Sequence, residues 1–408
     1  MQARSDVIVI GGGPSGSFTA LGLAKRGLRV DVFEEHDEIG VPSHCPGHLN
    51  IKGLQRLGLY PLPSGVVQNT FRGAIFHSPK GEKFTVRLSS PVTCVVNRSL
   101  FDKHIADIAE KAGVQYRLNS PVESLTIENE NAKVIKAKRG GHGIEECFSR
   151  VVVDAEGVSS RILKQIGLSP LNRGMVVNGV QAEIDNVDVA EPDMVEVFLG
   201  REYARGFYAW LIPTLEGTAK VGLATKGGNP KMTLQRFMLK HPSASKKLRK
   251  ARILNVAFHP ITLGGPIPQA YSDGFVAVGD VASQVKSTTG GGVILGMTCG
   301  GIAAEIIREA LEQNDCSGKF LNAYQTLVKE TLGFDLSVML RIRKALNAMS
   351  DTQMNRVISL CNKLDLEKTL SNLEDIDLQG RSLIHLLRSP RMLTALSYFF
   401  FLYLAANP

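Results

Sequence analysis

The 408-residue chain has no apolar run long enough to cross a bilayer, which takes about 20 residues. The longest candidate, Leu393 to Ala406, is fourteen residues broken by Thr394 and Ser397. At the other end only Val7 to Ile10 is apolar before glycines begin, too short for a secretory core, so export is not expected. The six cysteines, Cys45, Cys94, Cys147, Cys299, Cys316 and Cys361, include no CxxC pair, and a reducing cytoplasm suits them best. Acid is missing altogether from Gly217 to Ser272, while ten Lys and Arg fall there; with a net charge of +8, the rest of the chain is slightly acidic. Such a run reads as a solvated face, an anionic membrane surface or a site for a phosphate-bearing ligand. No nucleic-acid-binding module accompanies it, so nucleic acid is not an expected partner.

What is present is a folded, glycine-rich protein, with 44% hydrophobic and 21% charged residues and 40 glycines. Its length exceeds one core of roughly 250–300 residues, so more than one domain is expected. The opening is the most informative segment. A buried strand, Asp6 to Ile10, runs into Gly11-Gly12-Gly13-Pro14-Ser15-Gly16, then a small-residue helix, then a second apolar strand, Leu28 to Phe33, ending in Glu34. This is a βαβ unit with a dinucleotide fingerprint: Gly11 permits the tight turn, Gly13 lets backbone approach a pyrophosphate, and Gly16 lets helix and strand pack closely. Glu34, 23 residues after Gly11, is placed to bind a ribose diol. No second strand with GxGxxG follows, so the dinucleotide bound here is the working cofactor, a flavin rather than NAD.

Further buried strands end at Asp154-Ala155-Glu156-Gly157 and at Asp280, the latter followed by Gly290-Gly291-Gly292 and a small-residue helix through Ala304. Residues 166–264 alternate like antiparallel strands, and after Gly301 the pattern turns helical. The expected fold is α/β (α+β overall): a discontinuous Rossmann-like FAD-binding domain of residues 1–165 and 265–310, an antiparallel β substrate domain of residues 166–264, and a helical C-terminal region of residues 311–408. Leu393 to Ala406, with five aromatics between Tyr398 and Tyr403, fits a buried core helix, a helix in a membrane interface or one lining an apolar tunnel.

The set Gly11-x-Gly13-x-x-Gly16, Glu34, Arg98, Asp154 to Gly157 and Gly279-Asp280 resembles the FAD flavoproteins that include the aromatic hydroxylases. Ile39 to Cys45, Tyr208-Ala209-Trp210-Leu211-Ile212-Pro213 and Gly279 to Lys286 with its glycine triplet narrow the likeness to the geranylgeranyl reductase family. The resemblance implies FAD with the Ser15 amide at the pyrophosphate, Glu34 on the adenosine ribose, and Arg98 on the phosphate and ribityl region. It further implies Val122 at the adenine, Asp280 at the ribityl chain, Gly292 and Val293 at the isoalloxazine, and Cys45 with Pro46 beside the ring. A thiol is mostly protonated near neutral pH, so Cys45 is the candidate proton donor. Tyr208 and Trp210, two apart on a strand, share a face that the family places along an isoprenoid chain. Where the family commonly has a Cys-Gly-x-Gly-like run, this chain has Pro46 and His48. Arg205 and Ile212 also depart from the family's pattern, and Tyr-x-Trp-x-Ile-Pro is similar to a signature of flavin halogenases. His44, Cys45 and His48 bring no outside ligand, and no metal is expected.

The function so implied is FAD-dependent saturation of C=C bonds in geranylgeranyl chains, of digeranylgeranylglycerophospholipid or of geranylgeranyl diphosphate. The partners are an isoprenoid lipid, an external electron donor (ferredoxin, NAD(P)H or reduced deazaflavin) and a membrane touched peripherally from the cytoplasm. Two other readings stand beside it: a monooxygenase or halogenase of small aromatics, and a non-catalytic flavoprotein relaying electrons at a membrane.

Overall fold

The computed structural model describes residues 5–129, 132–138, 143–215, 217–371 and 375–406. The chain separates into two units. The first holds Met1–Ser43, Arg98–Met175 and Gly264–Leu336; the second holds His44–Asn97, Val176–Leu263 and Ser337–Pro408.

In the first unit, Val7–Ile10 is the centre of a six-stranded sheet ordered Tyr271–Ser272, Phe275–Ala277, Val151–Asp154, Val7–Ile10, Val30–Phe33, Gln115–Arg117. All pairings are parallel except that of the first two strands. Every residue of the three central strands is buried, which is why Val7–Ile10 and Val151–Val153 read as continuous apolar runs; in Val30–Phe33 the run is broken by Asp31, which Arg117 pairs. Helices Pro14–Ala24 and Val293–Glu312 pack together through small side chains. A Cβ on Gly296 would lie 2.2 Å from Ser15 Oγ, one on Gly300 2.3 Å from Thr19 Oγ1, and one on Gly22 2.9 Å from Ala304 Cβ. Positions 296, 300 and 304 recur at helical spacing on one face, so the glycine excess is spent on bringing two helix backbones together. A separate antiparallel sheet joins Val122–Asn129, Ala132–Lys138 and Ile144–Ser149.

The second unit is built on a seven-stranded sheet ordered Arg252–Thr262, Val176–Asp185, Thr218–Thr225, Ala209–Pro213, Met194–Phe198, Gly73–His77, Lys83–Arg87. Met194–Phe198 pairs antiparallel with Ala209–Pro213 but parallel with Gly73–His77, which draws residues 44–97 into this unit. Val180, Ala182, Leu211, Val221 and Leu223 face a helix layer that contributes Leu234, Phe237, Met238 and Leu248. Helix Pro390–Ala406 buries Met392 and Leu402 and leaves Leu393, Phe400 and Phe401 exposed, and no helix among the described residues is long and apolar enough to cross a membrane.

Under the helix layer lies a buried polar group. Glu196 accepts from Lys247 Nζ at 2.5 Å and bonds His77 Nε2 at 2.8 Å; burial pushes its carboxyl up, but these two partners hold it below the usual range. His241 Nδ1 accepts the amides of Ser243 and Ala244, both at 3.2 Å, while its Nε2 has no partner. Burial, aided by the nearby His77, pushes the His241 imidazole down to about 4. An unfolded histidine titrates near 6.5, so the unfolded chain binds the extra proton first and stability falls as pH drops from about 6.5 toward 4, by up to about 3 kcal/mol. Urea unfolding across that window should show the fall. His241→Asn, which keeps an acceptor for the two amides without a titrating ring, should flatten it.

Candidate active site

The strand Val7–Ile10 delivers the chain to its turn through Gly11, whose amide bonds Phe33 O at 2.8 Å. Gly11 has φ +99°, and a Cβ there would meet Ala155 O at 2.5 Å; one on Gly16 would stand 2.0 Å from Gly11 O. Neither position admits a side chain. Gly13 is different. Its backbone is extended (φ −67°, ψ 179°), which any residue adopts, and a Cβ would meet nothing within 4 Å. The fold does not need a glycine at 13, and its backbone is left open.

Helix Pro14–Ala24 has no side-chain cap and no acid in its first turn, so its first amides stay available to an anion. Glu34 Oε2 accepts the Gly12 amide at 2.7 Å and Oε1 accepts the His36 amide at 3.0 Å, with His36 Nδ1 at 2.6 Å. The carboxylate thus closes the loop from the side on which the next strand ends. Ser120 N donates to Glu34 O at 2.8 Å, which brings the segment leading to Val122 beside Glu34; Val122 itself is buried and paired with Ala137.

On the other side of Ser15 stands the Gly279-Asp280 turn. A Cβ on Gly279 would be 2.7 Å from Ser15 Oγ, and one on Gly292 would be 2.5 Å from Asp280 Oδ1, so Ser15, Asp280 and Gly292 form one continuous wall. Gly292 caps helix Val293–Glu312, which also has no side-chain cap and no acid in its first turn. Arg98 holds Asp102 with two bonds, Nε to Oδ1 at 2.9 Å and Nη2 to Oδ2 at 2.8 Å. Burial pushes the Asp280 carboxyl up, and the charge of Arg98 pulls it back. Asp154, at the end of its strand, is fully buried. Its Oδ1 accepts the Glu156 amide, its Oδ2 has no partner, and burial together with the Glu156 charge pushes its carboxyl well above the usual range.

Two residues of this unit carry roles that the sequence pattern did not single out. Gln284 Oε1 accepts the Gly279 amide at 2.7 Å and its Nε2 donates to Tyr324 Oη at 2.6 Å; Tyr324 in turn donates to Ala277 O at 3.0 Å. This buried chain fixes the turn that carries Asp280. Tyr324 lies in a helix 44 residues away, and nothing local in the sequence marks it.

In the second unit, the Cys45 loop is held by a side chain that the sequence showed only as one of ten cations. Lys220 is buried in strand Thr218–Thr225, and its ammonium donates to Pro46 O at 2.9 Å and Val96 O at 3.2 Å. Its signal was a lysine inside an apolar strand, between Ala219 and Val221. Gly47 N donates to Cys45 Sγ at 3.5 Å, and Val96 N to Gly47 O at 2.9 Å. His44 stacks on His259 at 4.4 Å, and His48 Nε2 lies 2.7 Å from Thr93 Oγ1. Lys220, Trp210 and Gln181 share one face of the seven-stranded sheet. Trp210 is registered with Gly222, and Gly222 with Gln181; a Cβ on Gly222 would lie 2.4 Å from Trp210 Cζ2, so the indole covers it. Trp210 Nε1 and Gln181 Oε1 have no partner. Tyr208 precedes the strand and meets Trp210 edge-on at 6.1 Å; burial pushes its phenol up to about 12 despite Arg343. Replacing the ammonium with a methyl thioether, Lys220→Met, orphans two carbonyls, and a loss of about 1–3 kcal/mol in urea unfolding is expected, with bound FAD absorbance retained.

Residues 4–235 match the FAD binding domain family. The digeranylgeranylglycerophospholipid reductase 2 of Methanopyrus kandleri is 32% identical over 88% of this chain and 91% of its own length. A geranylgeranyl bacteriochlorophyll reductase-like protein of Thermoplasma acidophilum superposes with a TM-score of 0.85 at 26% identity, covering 97% of this chain and 99% of that one. A flavin-dependent brominase superposes at 0.72 with 18% identity, covering 95% and 99%, and shares the fold alone. The first unit fits FAD: an open cradle at Gly13, two uncapped helix starts, and an acid, Glu34, fixed against the Gly12 amide where the next strand ends. The chain belongs to the digeranylgeranylglycerophospholipid reductase family of FAD-binding flavoproteins.

Proposed function

We propose that this protein is an FAD-dependent reductase that saturates the C=C bonds of geranylgeranyl chains in digeranylgeranylglycerophospholipid. The observation that carries the reading is a likeness to a named reductase that runs through both units, 88% of the chain, rather than through the nucleotide-binding part alone. FAD held in the first unit would, once reduced, supply the hydride for one alkene carbon. The remaining work falls to this chain. Gly13 and the first amides of Pro14–Ala24 hold the pyrophosphate, Ser15 stands beside them, Glu34 takes the ribose, and Val122 meets the adenine. Arg98 and Asp280 address the ribityl chain, and Gly292 and Val293 present amides to the ring, with Cys45 and Pro46 beside it.

An isolated alkene is a poor hydride acceptor, so a proton must reach the other carbon as the hydride arrives. Cys45 is assigned that proton: its S–H bond breaks as the C–H bond forms, and solvent reprotonates the thiolate. Lys220 acts on this residue through the Pro46 carbonyl, as a positioning group. Tyr208 and Trp210 line the path of the prenyl chain. Electrons enter from an external donor, a ferredoxin, NAD(P)H or a reduced deazaflavin, and the protein works at the cytoplasmic membrane surface.

The test is anaerobic. Chemically reduced protein mixed with digeranylgeranyl phospholipid should reoxidise its flavin and add hydrogens to the lipid in pairs, read by mass spectrometry. Cys45→Ala should keep FAD but lose about 100-fold or more in rate, the usual weight of a general acid. An unchanged rate removes Cys45 from the role. No mass gain, with fast reoxidation once oxygen and a small aromatic are supplied, would move the function to the oxygen-using branch of the fold.

A further inference from the structure

Helix Pro230–Lys240 turns Leu234, Phe237 and Met238 into the core of the second unit. The opposite side of a surface helix is ordinarily polar. Here it carries Met232 and Leu239, 66% and 62% exposed. Seven residues apart, two turns of helix, they make a single ridge along its outer face. At about 100° per residue, Lys231 and Gln235 flank the ridge on one side and Arg236 and Lys240 on the other, and all four are exposed. Phe258, 51% exposed on the edge strand, is registered with Val180 and so stands on the same helix-bearing face of the sheet.

The ridge's own helix carries cations and no acid, while the exposed Glu202, bonded to Tyr203 beneath Arg236, stands at its border. Of the ten cations between Gly217 and Ser272, Lys220 is buried, Lys247 is held by Glu196 and Arg252 by Asp185. Lys231 and Lys240 remain beside the ridge. Arg236 packs over the Tyr203 ring and donates to the Glu202 carbonyl, which leaves its charge at the surface. An apolar ridge bordered by cations is the pattern of a helix lying in a lipid interface. A second copy seated on the same ridge would set these cations against their own kind.

We propose that the outer face of helix Pro230–Lys240 docks on a bilayer bearing anionic lipid, with Met232 and Leu239 entering the boundary between headgroups and acyl chains and Lys231, Arg236 and Lys240 meeting lipid phosphates. Docking needs no turnover, so its failure and the failure of the reductase reading are separate results.

The experiment uses the full-length, FAD-loaded protein and flotation with vesicles of phosphatidylcholine, with or without phosphatidylglycerol, at low and high salt. The protein should float with the anionic vesicles and be released by salt. Lys231→Ala/Lys240→Ala should weaken partition about 25-fold at low salt, fivefold for each cation. Met232→Ser/Leu239→Ser should abolish flotation while leaving FAD absorbance and the melting temperature unchanged, because both side chains are exposed. Equal flotation of the variants and the parent would overturn the proposal. So would equal binding to neutral and anionic vesicles, or no binding to either. A dimer in solution that Met232→Ser/Leu239→Ser disperses would assign the ridge to a second copy. Loss of flotation in Phe400→Ser/Phe401→Ser alone would assign docking to the C-terminal helix instead.

Discussion

The structure of the first unit turns on one contact: the Gly11 carbonyl oxygen and the backbone of Gly16 stand so close that a Cβ would sit 2.0 Å from that oxygen. Strand and helix meet without any side chain between them. That approach aims the uncapped start of helix Pro14–Ala24 at the space beside Gly13, puts the Gly12 amide on Glu34, and lays Ser15 against Gly279. The same economy continues along the helix, where Gly296 and Gly300 of the long helix let Ser15 and Thr19 approach. Backbone amides, which carry no side-chain entropy and cannot swing away, are thereby left as fixed donors for a phosphate.

The second unit solves a different problem. Its seven-stranded sheet has an apolar face under helices and a face that carries Trp210, Gln181 and Lys220, and the latter spends a buried lysine to hold two carbonyls around the Cys45 loop. A buried cation is costly unless its donors are used. Here they tie a strand to a loop more than a hundred residues away in sequence. The helix-bearing face also holds Glu196, His77, Lys247 and His241, a polar group whose expected cost is the loss of stability at acid pH.

Local pattern was enough to read the βαβ unit, because the turn, the helix and the acid at Glu34 all lie within one supersecondary element and each residue type answers a local steric or charge requirement. The same holds for the strand Val151–Asp154, whose apolar run is complete in itself. Residues 44–97 were illegible for the opposite reason. Gly73–His77 finds its parallel partner in Met194–Phe198, some 120 residues on, and no period in either strand announces the other. Lys220 looked like one more positive charge, and Tyr324 like one more helical aromatic. Their meaning is set by partners that only the folded chain supplies. The aromatic C-terminal stretch, for which the pattern allowed three placements, follows Met392 into a helix that buries Leu402 and leaves Phe400 and Phe401 exposed.

Gly13 is the position at which a cradle shaped for the cofactor would differ from one shaped only for folding, because a Cβ there meets nothing within 4 Å. The most direct measurement compares Gly13→Val with Gly16→Val, each as cofactor-free protein, by thermal melting and then by FAD titration. Gly13→Val should melt with the parent, since its Cβ meets nothing, and yet fail to bind FAD; Gly16→Val should fail to fold. If Gly13→Val bound FAD as the parent does, the pyrophosphate would lie elsewhere and the cradle described for this unit would be wrong.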